Sequence, residues 1–198
     1  MKTFEIPPLA GAFDYPVDYH DPCWVDLSNG LSIDRPVCAP LEEFIRQVAR
    51  IVRENNLPDC NVGVAYMRVI DGENPQNEMA WHIDNQDGGT RFSTALATDD
   101  ARVNLAWTSD TSMVGAKVAK TRWEDEFQPD NNVIVVFTVE PHGVLPQPER
   151  RGERTAVFFS TLYKDRKTAD LYTTNCFDAD DGEISHTHAA LPALENSR

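Results

Sequence analysis

The hydrophobic periodicity changes once along this chain, and this change constrains the fold more than any other feature. Over 41–52, apolar residues recur at spacings of three and four, which predicts an amphipathic helix with Pro40 in its first turn. Beyond the helix the pattern is that of short strands, at 61–70, 91–98, 101–108, 113–120, 133–139 and 154–163. One helix followed by many short strands predicts a mainly β domain, as a sandwich, a barrel or a jelly roll, with the helix packed outside.

The chain, residues 1–198, is interpreted as one domain with less regular ends. Its 198 residues fit a single domain with a substantial core. Residues 1–38 are rich in proline and aromatic side chains, so we expect an irregular lead-in that packs on the domain and includes at most a short edge strand. The helix and the β core occupy 40–163, and 164–198 form a polar, acidic extension whose end we expect to fray.

Composition argues against two classes of partner. The net charge is −14, whereas a protein that follows a nucleic-acid backbone needs a basic face. No apolar run approaches the roughly 20 residues that cross a bilayer, and the first residues lack the apolar segment of a signal peptide. We therefore expect a cytoplasmic protein that binds a small molecule, and neither nucleic acid nor membrane. The four cysteines lack C-x-x-C spacing, and we expect reduced thiols.

Three residues form a candidate set of metal ligands. His82 and Asp84 are two positions apart, so on an extended backbone both side chains point to the same side and can reach one ion. His142 follows the apolar strand at 133–139. Two histidines and one carboxylate form the facial triad that leaves coordination positions open in non-haem Fe(II) oxygenases. The alternative for His82 is a hydrogen-bonded core or surface histidine, since an H-x-D pair alone is common.

The order of four positions resembles the 2-oxoglutarate- and Fe(II)-dependent dioxygenase superfamily. The superfamily pattern is H-x-D, then a distant histidine, then an arginine or lysine on the last core strand; His82, Asp84, His142 and Arg154 match it in that order. The resemblance covers 40–163 and implies a double-stranded β-helix core (jelly-roll, cupin-like) with at least one flanking helix. It also implies Fe(II) as the cofactor, held by the two histidines and the aspartate, with 2-oxoglutarate and O2 as co-substrates.

The same resemblance gives Arg154 the role of binding the far carboxylate of 2-oxoglutarate. A guanidinium offers a planar fork that pairs with a carboxylate through two hydrogen bonds. Every second position after it along the strand, up to 162, is small or apolar, as a buried anion site requires. The alternative is a surface arginine, in a run that also contains Arg150 and Arg151.

Other side chains are candidates for completing the site. Many members of the superfamily have serine or threonine where this chain has Ala156, so we expect a second 2-oxoglutarate donor elsewhere. Tyr66 is the candidate, because it shares a strand face with Arg68; the alternative is a plain core aromatic. Arg68, Arg91 and Trp81 are candidate substrate contacts, with surface charge as the alternative for Arg91 and simple packing for Trp81.

Two further segments have weaker functional interpretations. Residues 123–127 are expected to form a loop, either a substrate lid or a solvated connection. His186 and His188 are two residues apart and could bind a second metal ion, but a mobile tail explains them better.

The resulting hypothesis is an enzyme, a dioxygenase that hydroxylates or otherwise oxidises an unactivated C–H bond. Its substrate would be a small molecule such as an amino acid or a natural-product intermediate. One alternative is hydroxylation of a residue in a protein or peptide. Another is a cupin-like protein that binds a metal or ligand without catalysis, or a cupin that uses its metal for isomerase or lyase chemistry. The pattern determines neither the substrate nor the oligomeric state.

Overall fold

The structure is a computed structural model, and it describes residues 2–12, 17, 21–57, 60–71, 81–83, 89–97, 105–108, 110–115, 125–127, 132–137, 141–144 and 154–170. For some strand residues within these ranges only the backbone is described. The described residues form one long helix and ten strands, and every strand pair is antiparallel. The mainly β class predicted from periodicity is therefore confirmed.

The long helix, α1, spans Ala39–Glu54 and begins with Pro40 near its N-terminus, as predicted. Its first turn carries Glu42 and its last turn Arg53, charges that complement the helix dipole. The buried stripe, which consists of the apolar residues at spacings of three and four, is Leu41, Phe44, Ile45, Val48 and Ile51. Neither α1 nor any other described helical segment combines the length and apolarity that crossing a bilayer requires.

Seven strands form a large antiparallel sheet. In spatial order they are β1 (Lys2–Glu5), β8 (Val133–Phe137), β5 (Thr90–Ala97), β10 (Arg154–Tyr163), β4 (Val62–Asp71), β2 (Cys23–Asp26) and β3 (Ser32–Ile33). The two longest strands, β10 and β4, pair along their whole length from Arg154 opposite Asp71 to Tyr163 opposite Val62. Strand β10 therefore lies in the middle of the sheet, although it follows every other described strand in the sequence.

Three short strands form a second sheet, in the order β7 (Asp125–Phe127), β6 (Leu105–Trp107) and β9 (His142–Val144). An isolated bridge pairs His82 with His142, so this small sheet continues by one residue pair beyond β9. A single 3-10 turn at Thr111–Met113 follows β6.

The main core lies between α1 and one face of the large sheet. Phe44 of α1 stacks on Phe158 of β10 with ring centroids 5.9 Å apart, and Ala156 and Leu162 belong to the same buried cluster. We call the opposite side of the sheet the helix-distal face. Strand alternation places Tyr66, Arg68, Arg91, Ser93, Phe159 and Thr161 on it, because each pairs with a residue out of phase with Phe158.

Parts of the chain depart from the local predictions. The lead-in contributes three strands, β1 to β3, rather than at most one. Residues 125–127 form β7, where a loop was expected. Of the strand predicted at 113–120, Met113 ends a 3-10 turn and the turn continues to Gly115, while 116–120 lie outside the described residues.

The start of the C-terminal extension packs back onto the large sheet. Residues 166–170 are helical, and the carboxylate of Asp165 accepts hydrogen bonds from the backbone N–H and the hydroxyl of Thr168, at 2.8 and 2.9 Å. Ala169 is fully buried in a small cluster with Val62 and Tyr163. The guanidinium carbon of Arg166 lies 3.6 Å from the centroid of the Trp24 ring. This part of the extension is therefore folded, and the remainder, 171–198, lies outside the described residues.

Candidate metal centre

The two histidines predicted as metal ligands are direct neighbours across the bridge beyond β9. The backbone N–H of His82 donates to the carbonyl of His142 at 3.0 Å, and the N–H of His142 donates to the carbonyl of His82 at 2.9 Å. Residues that exchange both hydrogen bonds in this way stand opposite each other, with their side chains on the same side. The backbone pairing therefore brings residues 60 positions apart, 82 and 142, to one point.

The two imidazole rings lie side by side. Their centroids are 4.4 Å apart and their planes are inclined by 55°. Two histidines that bind one ion each place a nitrogen about 2.1 Å from it, so the two nitrogens can be no more than about 4 Å apart. A centroid spacing of 4.4 Å is compatible with one nitrogen of each ring reaching a shared ion. His142 is only 4% exposed, and His82 is half-buried.

Backbone hydrogen bonds fix the segments on both sides of the pair. The carbonyl of Trp81 accepts from the N–H of Gly115 at 2.8 Å, and the carbonyl of Pro141 accepts from the N–H of Thr108 at 3.0 Å. Trp81 is itself buried, at 1% exposure. Each histidine is therefore held by regular pairing, which positions ligands more accurately than a loop does.

Asp84, the third predicted ligand, lies outside the described residues. Among the described residues alone, no group of three histidine, cysteine or acidic side chains is close enough to hold an ion. The described part shows two adjacent imidazoles, and the sequence adds an aspartate two positions after one of them. These donor types fit a 2-His-1-carboxylate centre for Fe(II). Asp84 as a ligand remains a prediction.

On the helix-distal face the structure brings together two predicted residues that the sequence did not link. The Nη1 of Arg91, on β5, donates a hydrogen bond to the phenol oxygen of Tyr66, on β4, at 2.8 Å. The Tyr66 ring stacks on Phe159 of β10 with centroids 5.0 Å apart. The guanidinium carbon lies 5.8 and 5.5 Å from the centroids of the Tyr66 and Phe159 rings. Arg91 is thus fixed by a hydrogen bond and two aromatic rings.

Arg154 and Tyr66 are not brought together by the strand register. Arg154 is the first residue of β10, and its backbone pairs with Asp71. It is in phase with Ala156 and Phe158, whereas Tyr66 pairs with Phe159, which is in the opposite phase. The side chain of Arg154 lies outside the described part of the chain, and its role in binding 2-oxoglutarate stays a prediction.

The helix-distal face also contains two buried hydroxyl groups that sequence reasoning missed. Ser93 is fully buried and Thr161 is 3% exposed, and neither hydroxyl has a hydrogen-bond partner among the residues that the structure describes. Ser93 pairs with Phe159 and Thr161 with Arg91, so both belong to the same phase as Arg91 and Tyr66. The period-two alternation around Arg91 could have singled out Ser93, but Thr161 required the register of β5 on β10. Arg68, also half-buried, is opposite Val157 in this phase.

These observations define a mainly β protein with a paired-histidine candidate metal centre. No family model and no curated protein sequence matches the chain. Solved structures of YcfD from Escherichia coli are similar at 11 to 12% identity with TM-scores of 0.36 to 0.37, and two of them are described as a ribosomal oxygenase. The match covers 86% of this chain and 50 to 52% of YcfD, so the chain spans about half the length of that protein. TM-scores in this range do not establish a common fold, and the likeness assigns no function to this chain.

Proposed function

We propose that this chain is a non-haem Fe(II)- and 2-oxoglutarate-dependent oxygenase in which His82, Asp84 and His142 hold the iron. The observation that carries the proposal is the His82–His142 pair, two imidazoles 4.4 Å apart on mutually hydrogen-bonded backbone. Imidazole and carboxylate suit iron, and three protein ligands leave positions for a chelating co-substrate and O2. With 2-oxoglutarate bound, such a centre supplies the O2 activation needed to oxidise an unactivated C–H bond.

The order in which the chain enters the two sheets supports the proposed double-stranded β-helix. After β4 in the large sheet, the chain passes to His82 beside the small sheet and returns to the large sheet in β5. It then forms β6 and β7 in the small sheet, β8 in the large, β9 in the small and β10 in the large. This repeated exchange between two antiparallel sheets is the winding that a jelly roll requires.

The protein's own contribution would be positioning and exclusion of water. His142 and its neighbour across the bridge, His82, are held by paired backbone, which would keep both imidazoles in place before the metal arrives, and the burial of His142 would limit access of water. Arg91 and Arg68 supply positive charge on the helix-distal face, where an acidic co-substrate can be bound.

We propose a small molecule, such as an amino acid or a natural-product intermediate, as the substrate, and the cytoplasm as the location. The motivation is the compact domain with an acidic composition, net charge −14. Mass spectrometry after incubation with a small-molecule panel and with a peptide panel separates this proposal from a protein or peptide hydroxylase. A gain of one oxygen confined to a peptide would transfer the assignment to the peptide-directed alternative.

The iron site is tested by metal content and co-substrate turnover in one set of variants. The wild-type chain is expected to bind one Fe(II) per molecule without oxygen and, in air, to convert 2-oxoglutarate to succinate. His82→Ala, His142→Ala and Asp84→Ala should each lower iron affinity by at least roughly 10-fold, since even the loss of an outer-shell partner of a metal ligand costs that much. His186→Ala removes a histidine outside the proposed centre and is the matched control.

Two outcomes would redirect the assignment. Iron binding without 2-oxoglutarate consumption would favour a cupin with other metal chemistry. Iron binding that survives His82→Ala and His142→Ala but is lost in His186→Ala would show that the paired histidines are structural.

A further inference from the structure

We propose that Arg91 and Tyr66 form a carboxylate-binding site on the helix-distal face of the large sheet. The identity of the ligand rests on the proposed oxygenase function: in such an enzyme the site binds the far carboxylate of 2-oxoglutarate, the role that the sequence pattern predicted for Arg154. The same chemistry would also serve the carboxylate of a substrate, and the test below separates the two sources.

The guanidinium of Arg91 is oriented before any ligand binds. Its Nη1 donates to the Tyr66 phenol at 2.8 Å, and the phenol ring is in turn held against Phe159 at a centroid distance of 5.0 Å. A guanidinium held in one plane loses little conformational freedom when it pairs with a carboxylate. A phenol that accepts a hydrogen bond from a cation is also polarised toward stronger donation. Arg91 and Tyr66 therefore make a preorganised pair for an anion.

Two buried hydroxyls lie in the same strand phase beside this pair. Thr161 stands opposite Arg91 on β10, and Ser93 is the next residue of β5 in that phase. Their exposures are 3% and 0%, and within the described part of the chain neither hydroxyl has a hydrogen-bond partner. An unsatisfied buried hydroxyl is costly, so in folded proteins such groups usually have a partner, which here can be a ligand oxygen or a water molecule held with it.

The charge distribution also favours an anion at this place. On the helix-distal positions of β5, β10 and β4 the sequence puts two arginines, Arg68 and Arg91, and no acidic residue. Two acidic residues share this phase but lie on other strands, Glu5 on β1 and Asp26 on β2. Asp26 pairs with Val62, and Val62 is four residues along β4 from Tyr66, a distance of roughly 13 Å. Among the described strand residues, the carboxylates of this face thus lie away from its centre, although the net charge of the chain is −14.

The register gives a reason to prefer Arg91 over Arg154. Arg91 and Tyr66 share the phase of Phe159, on the side of the sheet away from α1. Arg154 is in phase with Ala156 and Phe158, which belong to the core cluster under the helix. The register therefore assigns Arg91 and Tyr66 to one face of the sheet and position 154 to the other.

The test compares two keto acids that differ only at the far end. 2-Oxoglutarate carries a carboxylate there and 2-oxopentanoate a methyl group, and their affinities for the Fe(II)-loaded protein are measured by calorimetry without oxygen. We expect the wild type to prefer 2-oxoglutarate by roughly 10- to 100-fold, the effect of a charge-assisted hydrogen-bonded pair. Arg91→Gln should bring this preference close to one while the 2-oxopentanoate affinity changes little. Tyr66→Phe should reduce the preference in part.

Control variants show whether the preference for 2-oxoglutarate depends on Arg91 in particular. Arg46→Gln removes an exposed arginine of α1 and should leave the preference unchanged. If Arg154→Gln or Arg68→Gln abolishes the preference and Arg91→Gln retains it, the proposal is overturned. Circular dichroism shows whether Arg91→Gln is folded; if it is not, Arg91→Lys replaces it, since lysine keeps the charge but loses the fork, and a lowered preference then supports the proposal.

Failure of the proposed function gives a different result. If metal-loaded protein binds neither keto acid, the oxygenase assignment fails, and succinate and glutarate are titrated instead. Binding of either one that is lost in Arg91→Gln would retain the carboxylate site with another molecule as its ligand. Absence of binding by every carboxylate would overturn the site as well.

Discussion

Cys23 shows how strongly a single position can depend on its surroundings. The thiol is fully buried in the core beneath α1, and its Sγ donates a hydrogen bond to the carbonyl of Ala65 at 3.3 Å. Burial, and secondarily the negative charge of Asp34, raises the pKa of the Cys23 thiol from 9.0 to about 11. Since the thiolate is the reactive form, Cys23 should be inert at neutral pH, in agreement with the reduced thiols expected from sequence. Cys38 and Cys60 are also buried.

The raised pKa predicts a loss of stability in alkali. The folded state favours the neutral thiol, so this contribution is complete below the unfolded pKa and is lost as the pH rises from 9.0 toward about 11. The loss at this one group is roughly 2–3 kcal/mol in the free energy of unfolding. Urea denaturation at about pH 8 and about pH 11 should show a steeper decline for the wild type than for Cys23→Ala. Equal declines would show that the thiol is not shielded.

The ligands of the candidate site differ in how far sequence could reveal them. His82 and His142 stood out because histidines are few and their order fits a metal pattern, and the structure places them side by side. The Arg91–Tyr66 hydrogen bond could not be predicted from the sequence, because β4 and β5 do not pair with each other and instead lie on opposite sides of β10. Only the two registers against β10 reveal that these side chains meet.

At the scale of elements, predictability followed the strength of the hydrophobic pattern. Strand β10 was predicted with its observed bounds, and α1 within a few residues, because their apolar periodicities are regular. Strand β7, Asp125–Phe127, was missed because two of its three residues are acidic. It lies at the edge of the small sheet, paired only with β6 in the described residues, where polar residues are tolerated. The turn at Thr111–Met113 is stabilised by the Asp110 side chain, a local bond that strand periodicity does not report.

The helical segment after β10, residues 166–170, is predicted to stabilise the large sheet by packing against it. Ala169 is fully buried, at 0% exposure, in the cluster with Val62 and Tyr163. Ala169→Asp would bury a carboxylate there and should lower the free energy of unfolding by roughly 3 kcal/mol. Lys167→Ala, at an exposed position of the same segment, is the control and should change it by less than about 0.5 kcal/mol. Denaturant titration measures both, and equal effects would contradict the packing.

For the whole molecule, the proposed iron site couples metal binding to stability. A ligand that binds only the folded state, at 100 times its dissociation constant, stabilises it by about 2.7 kcal/mol. We therefore expect Fe(II), or Mn(II) as an oxygen-stable substitute, to raise the melting temperature of the wild type by several degrees, and a chelator to reverse the rise. The double variant His82→Ala/His142→Ala should show no rise. An equal rise in the variant would place the stabilising metal elsewhere.

The place of β10 in the large sheet has a consequence for how the molecule is made. The strand that joins β5 to β4 follows both of them by more than fifty residues in the chain, so until it is synthesised the two have open edges where it will later lie. Pairing between distant segments is slow to form, and open strand edges are templates for association with other chains. Nascent molecules that stop before residue 154 should therefore aggregate, and the yield of soluble protein should depend on slow synthesis, low temperature or chaperones that bind exposed strands.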